Sequence, residues 1–283
     1  MTMTPRLRKF GFTASPVFAL TVLVTLGAFG FIGVVLVQPN LIAGLLGQET
    51  AGHISGHFRS LDHRVHDLTF GFLVGTAAVG MLAQLWIPSK NVAGQVMALV
   101  TWVGLILGFV LTETWTFAPA PILGALTLIA TILHPAGRRF FRSFSASRVN
   151  RVMLALVIIA AVPLVAFASN NIELQRALTD DHATLGHYGF LAAFSFTVIG
   201  VGLLASLRPD GWRLTAWVAG LLPALLGLAS VVYPDVNSSL GPVWALAAIT
   251  WGVGFVAAAE LTQNAEGPTL LGARGAVSKS ERG

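Results

Sequence analysis

Apolar runs of about twenty residues, each bounded by a short polar segment, divide the chain at 17–37, 67–87, 92–112, 119–135, 150–169, 185–207, 212–233 and 242–261. Helices of that length cross a hydrocarbon core ~30 Å thick, whereas barrel strands are alternating segments of about ten residues. The pattern therefore predicts an all-α, polytopic integral membrane protein with eight transmembrane helices. The fourth run, broken at its start by Pro119 and Pro121, is the shortest. The first follows Arg6, Arg8 and Lys9, but it is longer than a signal-peptide core and no Ala-x-Ala site follows it, so it is expected to be retained.

Composition supports the same class. Of 283 residues 55% are apolar and only 10% charged, with a mean hydropathy of +0.77, against about 25% charged in a soluble domain. The absence of cysteine excludes disulfides, thiolate zinc sites and covalent c-type haem attachment. Lys and Arg are retained on the cytoplasmic side of short loops. With eight spans and both termini cytoplasmic, Arg6, Arg8, Lys9, Lys90, Arg138, Arg139, Arg142, Arg148, Arg151, Arg208, Arg213, Arg274, Lys279 and Arg282 all lie inside. Only Arg59, Arg64 and Arg176 lie outside. This division predicts a multi-pass protein of the cell membrane. The pI near 10.4 then comes from basic residues beside spans, facing the lipid bilayer, and calls for no nucleic-acid partner. Nothing in the pattern sets an oligomeric state.

Compared with itself, the chain repeats weakly at a shift of 121–122 residues. Gly80-Met-Leu-Ala-Gln-Leu-Trp-Ile-Pro88 aligns with Gly202-Leu-Leu-Ala-Ser-Leu-Arg-Pro209, His66 with His187, Pro121 with Pro242, and Glu113 with Asp235 after a one-residue slip. Four spans per half make the repeats parallel, related by an axis along the membrane normal. The expected halves are 1–137, which carries a His-rich extracytoplasmic loop, and 138–283, which ends in a cytoplasmic tail; the basic segment from His134 to Arg148 joins them. Gly71 with Gly75, and Gly104 with Gly108, form small-xxx-small faces suited to close helix packing. Pro163 and Pro223 are positioned to kink their spans.

The chemistry-bearing residues gather at one predicted side. Six of the seven histidines fall in 49–67 and 180–187, immediately before the second and sixth spans. A surface helix over 49–66 would put His53 and His57 on one face, Asp62 with His66, and His63 beside His66. Imidazoles mixed with Asp62, Asp67, His182 and the paired acids Glu113 and Asp235 can hold a metal or orient its ligands. His53 and His57 have the plainer reading of hydrated polar residues on an interfacial helix. His66 and His187 occupy equivalent places, and ionisable groups entering a membrane face the bundle interior. They are the expected cofactor ligands. His134, beside Pro135 at the opposite end, has no counterpart in the second half and reads as an interfacial side chain.

Duplicated four-helix halves, long outer loops before spans two and six, and His63-Arg64 or His66 at the mouth of span two resemble the plan of the haem A synthase family. That family also places histidines in its fourth and eighth spans and commonly a Cys pair in the first outer loop; Pro121–Leu126 and Pro242–Leu246 contain no histidine, and the chain has no cysteine. The resemblance therefore implies haem or metal binding at His66 and His187 rather than haem A synthesis. The expected function is a membrane-embedded haem- or metal-binding protein with a redox, electron-transfer or cofactor-handling role at the extracytoplasmic face. It would hold haem b or copper and meet a redox partner or metal donor. The alternatives are a zinc- or iron-dependent membrane enzyme and a non-catalytic permease or pathway protein for a metal or proton. No P-loop, dinucleotide fingerprint, Gly-x-Ser-x-Gly or HExxH motif is present.

Overall fold

The structure, a computed structural model, describes residues 15–37, 63–115, 119–236 and 238–280. It is all-helical, without a strand among the described residues. The helices are α1 (Pro16–Val37), α2 (Arg64–Leu82), α3 (Val92–Thr112), α4 (Ala120–Ile132), α5 (Arg139–Arg142), α6 (Arg151–Ala177), α7 (Asp181–Thr184), α8 (His187–Leu207), α9 (Trp212–Val232) and α10 (Gly241–Ser280). Six apolar helical stretches are long enough to cross a membrane: Arg64–Leu85, Val92–Thr112, Arg151–Ala177, His187–Leu207, Trp212–Val232 and Gly241–Thr262.

Of the two other predicted spans, the first falls on α1, whose helix runs from Pro16 to Val37, and the fourth falls on the shorter apolar helix Ala120–Ile132. In α4 the cause is local. Pro119 precedes the first turn and the helix stops at Ile132, so its 13 residues rise only ~20 Å, less than a hydrocarbon core. The fifth predicted run is extended rather than cut: α6 continues to Ala177, well past the expected end at 169. Its polar tail is kept helical by inward-facing residues, with Asn171 donating to the Phe167 carbonyl (2.8 Å) and Gln175 buried one turn further on. The start of α6 is fixed by Asn150, whose side chain accepts from the amides of Val152 and Met153. Pro163 and Pro223 both lie inside continuous helices.

The central element is α8, 72% of whose apolar window is buried, against 17% for α6. It packs on α3, α6, α9 and α2, while α9 packs on α10 and α1 on α4 and α2. The outer face of α6, with Ile158, Ile159 and Val162, is apolar and exposed, as suits a surface in a lipid bilayer. Between α3 and α8 the approach is close. A Cβ on Gly108 would lie 2.7 Å from the Gly189 carbonyl oxygen and 2.9 Å from Ala193 Cβ, and one on Gly104 would lie 3.0 Å from the Ala193 carbonyl oxygen. Gly71 and Gly75 differ from the sequence expectation: no described heavy atom lies within 4 Å of where their Cβ atoms would be. The buried stripe of α2 runs instead through Thr69, Leu73, Thr76, Ala77 and Gly80, and at Gly80 the helix meets Gly94 and Ala98 of α3.

A candidate metal centre of clustered histidines

Two helix starts and one short helix bring four histidines together. His63 is the residue before α2 and His66 lies in its first turn, three positions on and so on the same side. His182 sits on α7 and His187 is the first residue of α8. Between the last two, Gly186 takes a left-handed conformation (φ 76°) that ends one helix and begins the next. All four side chains are buried.

The rings pack against one another. Centroids are 4.4 Å apart for His63 and His182, 5.0 Å for His63 and His187, 4.8 Å for His66 and His182, and 4.7 Å for His66 and His187. The Nδ1 atoms of His63 and His187 face each other at 3.3 Å. One ring nitrogen from each of His63, His182 and His187 lies within 4.8 Å of the others. Ser238, in the turn before α10, is buried with its hydroxyl against the ring nitrogens of His66.

Comparison of the chain with protein-family models, curated proteins and solved structures found no match.

A clamp around the second pair of histidines lies beyond the sequence expectation. Asp180 caps α7 by accepting from the Ala183 amide (2.8 Å), and its other oxygen accepts from the Tyr188 hydroxyl (3.2 Å). Gln175 donates to the Ala183 carbonyl at 2.5 Å and accepts from the Gly189 amide at 3.2 Å. One side chain of α6 thus ties together the segments carrying His182 and His187. The signal that could have found it is the polar stretch Asn170–Gln175, whose Asn171 and Gln175 recur at helical spacing after an apolar run. Ser238 carries no such signal.

The expected carboxylates go elsewhere. Glu113 ends α3 in a left-handed conformation (φ 59°) and forms an exposed ion pair with Arg176 at 3.1 Å. Asp235 is exposed, and neither acid joins the histidine group. Asp67 lies next to His66 in the first turn of α2 and is partly buried. His53, His57 and Asp62 lie outside the described residues.

The seventh histidine sits at the opposite end of the bundle. His134, expected at the interface, is 4% exposed. It follows the end of α4 and so stands in the connector, outside the spans. Its Nδ1 accepts from the Ala136 amide (3.2 Å), which leaves Nε2–H to donate to Gln84 Oε1 (3.1 Å). Gln84 in turn donates to the carbonyls of Gly80 and Asn91. Burial pushes the imidazole down from its usual 6.5 to about 4, opposed by a backbone contact at Pro88. The folded state therefore keeps His134 neutral while the unfolded chain takes up a proton below about 6.5, so its contribution is complete above that pH and is lost as pH falls towards 4. In detergent melts, the stability advantage of wild type over His134→Gln is expected to shrink between about pH 7 and pH 4.5. An advantage constant over that range would mean that the ring is not held neutral.

Proposed function

We propose that the chain is a membrane-embedded metal-binding protein in which His63, His182 and His187 ligate one transition-metal ion, with His66 packed beside them. The reading rests on one observation above all, the 3.3 Å between the Nδ1 atoms of His63 and His187. With metal–nitrogen bonds of about 2.0–2.1 Å, two ligands of a tetrahedral ion stand about 3.3–3.4 Å apart. Three protein nitrogens leave a fourth position for water or an external ligand. Neutral imidazole suits copper, zinc and iron. A single ion is favoured over haem because bis-imidazole ligation places two rings on opposite faces of a porphyrin. His66 and His187 instead stack at 4.7 Å with 28° between their planes.

We assign the bound ion a redox, electron-transfer or metal-handling role at the extracytoplasmic face, exchanging with a redox partner or metal donor. The sidedness rests on the basic residues: Lys90, Arg138, Arg139, Arg142, Arg148, Arg151, Arg208 and Arg213 belong to the end of the bundle opposite the histidines. Impermeant thiol reagents should then label Arg176→Cys in intact cells and Ser145→Cys only after lysis; labelling of the Ser145→Cys variant in intact cells would reverse the orientation. The recurrence of packing, α2 on α3 and α8 on α9, α1 on α4 and α6 on α10, supports parallel duplicated halves with His66 and His187 in equivalent places. An experimental structure in which α2–α4 matched α8–α10 only through an axis in the membrane plane would overturn that duplication.

The test of the function is elemental analysis and an absorption spectrum of detergent-purified protein. We expect about one equivalent of copper, zinc or iron per chain and no porphyrin bands. A haem spectrum would move the assignment to haem b. Protein that retains none of these groups, even when offered each, would sink the metal reading in favour of a permease or pathway role.

A further inference from the structure

The connector between the halves carries a second feature, separate from the cluster of His63, His66, His182 and His187. Residues 138–142 read Arg-Arg-Phe-Phe-Arg, and the two phenylalanines part company. Phe140 is buried, in contact with His134 at 5.1 Å between ring centroids and clustered with Val92 and Ala136. Phe141 is 77% exposed. Arg138, Arg139 and Arg142 are exposed around it, with Arg139 and Arg142 three positions apart on α5.

This segment is held in place. Ser143 Oγ accepts from the Asp210 amide at 2.6 Å, and Arg148 reaches both the Asp210 carboxylate (3.1 Å) and the Ser143 carbonyl (3.3 Å). The connector is thereby tied to the α8–α9 turn, between the end of one apolar helix at Leu207 and the start of the next at Trp212. Asp210 is engaged by Arg148, and among the described residues no carboxylate pairs with Arg138, Arg139 or Arg142. Three exposed cations flanking an exposed aromatic residue on one anchored segment match the boundary between phosphate headgroups and acyl chains, where an aromatic ring and arginines partition together.

We propose that Arg138, Arg139 and Arg142 with Phe141 form a binding site for the headgroup of an anionic phospholipid. The arginines meet the phosphate by charge-assisted hydrogen bonds, and Phe141 seats in the adjoining acyl region. The site requires no metal and stands or falls independently of the histidine cluster.

The experiment reconstitutes the full-length protein in phosphatidylcholine bilayers with or without phosphatidylglycerol and measures co-purifying lipid after detergent extraction. Wild type is expected to retain phosphatidylglycerol over phosphatidylcholine by about tenfold or more, since each basic residue near a membrane surface adds several-fold. The triple change Arg138→Gln, Arg139→Gln and Arg142→Gln should abolish the preference with metal content unchanged. The corresponding triple lysine variant should retain most of it, and Phe141→Ala should weaken retention of both lipids. Arg176→Gln, at the histidine end, should have no effect. Equal retention of the two lipids by wild type, or an undiminished preference in the triple glutamine variant, would overturn the proposal.

Discussion

Replacing His187 by alanine is expected to lower the affinity of the purified protein for the proposed metal ion by about 100-fold or more, because loss of a partner that merely orients a ligand already costs about 10–100-fold. His63→Ala and His182→Ala should match it. The three residues offer nitrogens within 4.8 Å of one another, and in the proposed site each would supply one of three protein ligands. His66→Ala should cost about tenfold, since its ring is engaged by Ser238 and acts on the ion through packing against His182 and His187. His134→Ala, at the far end of the bundle, should leave affinity unchanged. Competition with a chelator of known affinity gives all five values. Equal, small effects at all four clustered positions would mean that the imidazoles satisfy one another in a polar core and hold no ion.

The ranking also tests the clamp. Gln175 fixes both the carbonyl of Ala183 and the amide of Gly189, in the segments that carry His182 and His187. A substitution there should weaken binding at the proposed metal site before it disturbs the fold.

What the sequence reveals, and where it stops, follows from which forces act locally. The approach of His66 to His187 is legible because both stand at the starts of apolar runs, where a polar ring entering lipid turns inward. His63 and His182 belong to the same histidine-rich segments, but their inward orientation depends on backbone detail. His63 is the residue before α2, and a left-handed Gly186 sets the angle between α7 and α8. The logic of the repeat misplaces the acids. Glu113 and Asp235 align in sequence, but a carboxylate that can reach an arginine in water has no reason to enter a buried cluster, and Glu113 reaches Arg176. The end of α6 escapes the sequence pattern because polarity there does not mean solvent: Asn171 and Gln175 are polar, buried and helical. Gly71 and Gly75 show that spacing alone does not place a glycine pair in an interface, since the same motif at Gly104 and Gly108 is pressed against α8.

That last contrast yields the second large effect. Gly108→Val is expected to prevent recovery of folded protein or to lower its melting temperature severely, whereas Gly71→Val should be tolerated. A Cβ at 108 would stand 2.7 Å from a backbone oxygen of α8, and backbone cannot swing aside as a side-chain tip can. Ordinary overpacking costs about 1–3 kcal/mol, and here relief requires α3 and α8 to separate along an interface that also contains Gly104. In lipid that interface is held by close van der Waals contact rather than by exclusion of water, so separation loses most of its attraction. The oxygen in question belongs to Gly189, two residues beyond His187 and bonded through its amide to Gln175. Any Gly108→Val protein that does fold should therefore show weakened metal binding, with His187 displaced from His63. Size-exclusion profiles and melts in detergent, followed by metal titration of the surviving fraction, measure both consequences. Gly108→Val protein as stable and as metal-competent as Gly71→Val would show that the α3–α8 contact neither holds the bundle nor sets the position of His187.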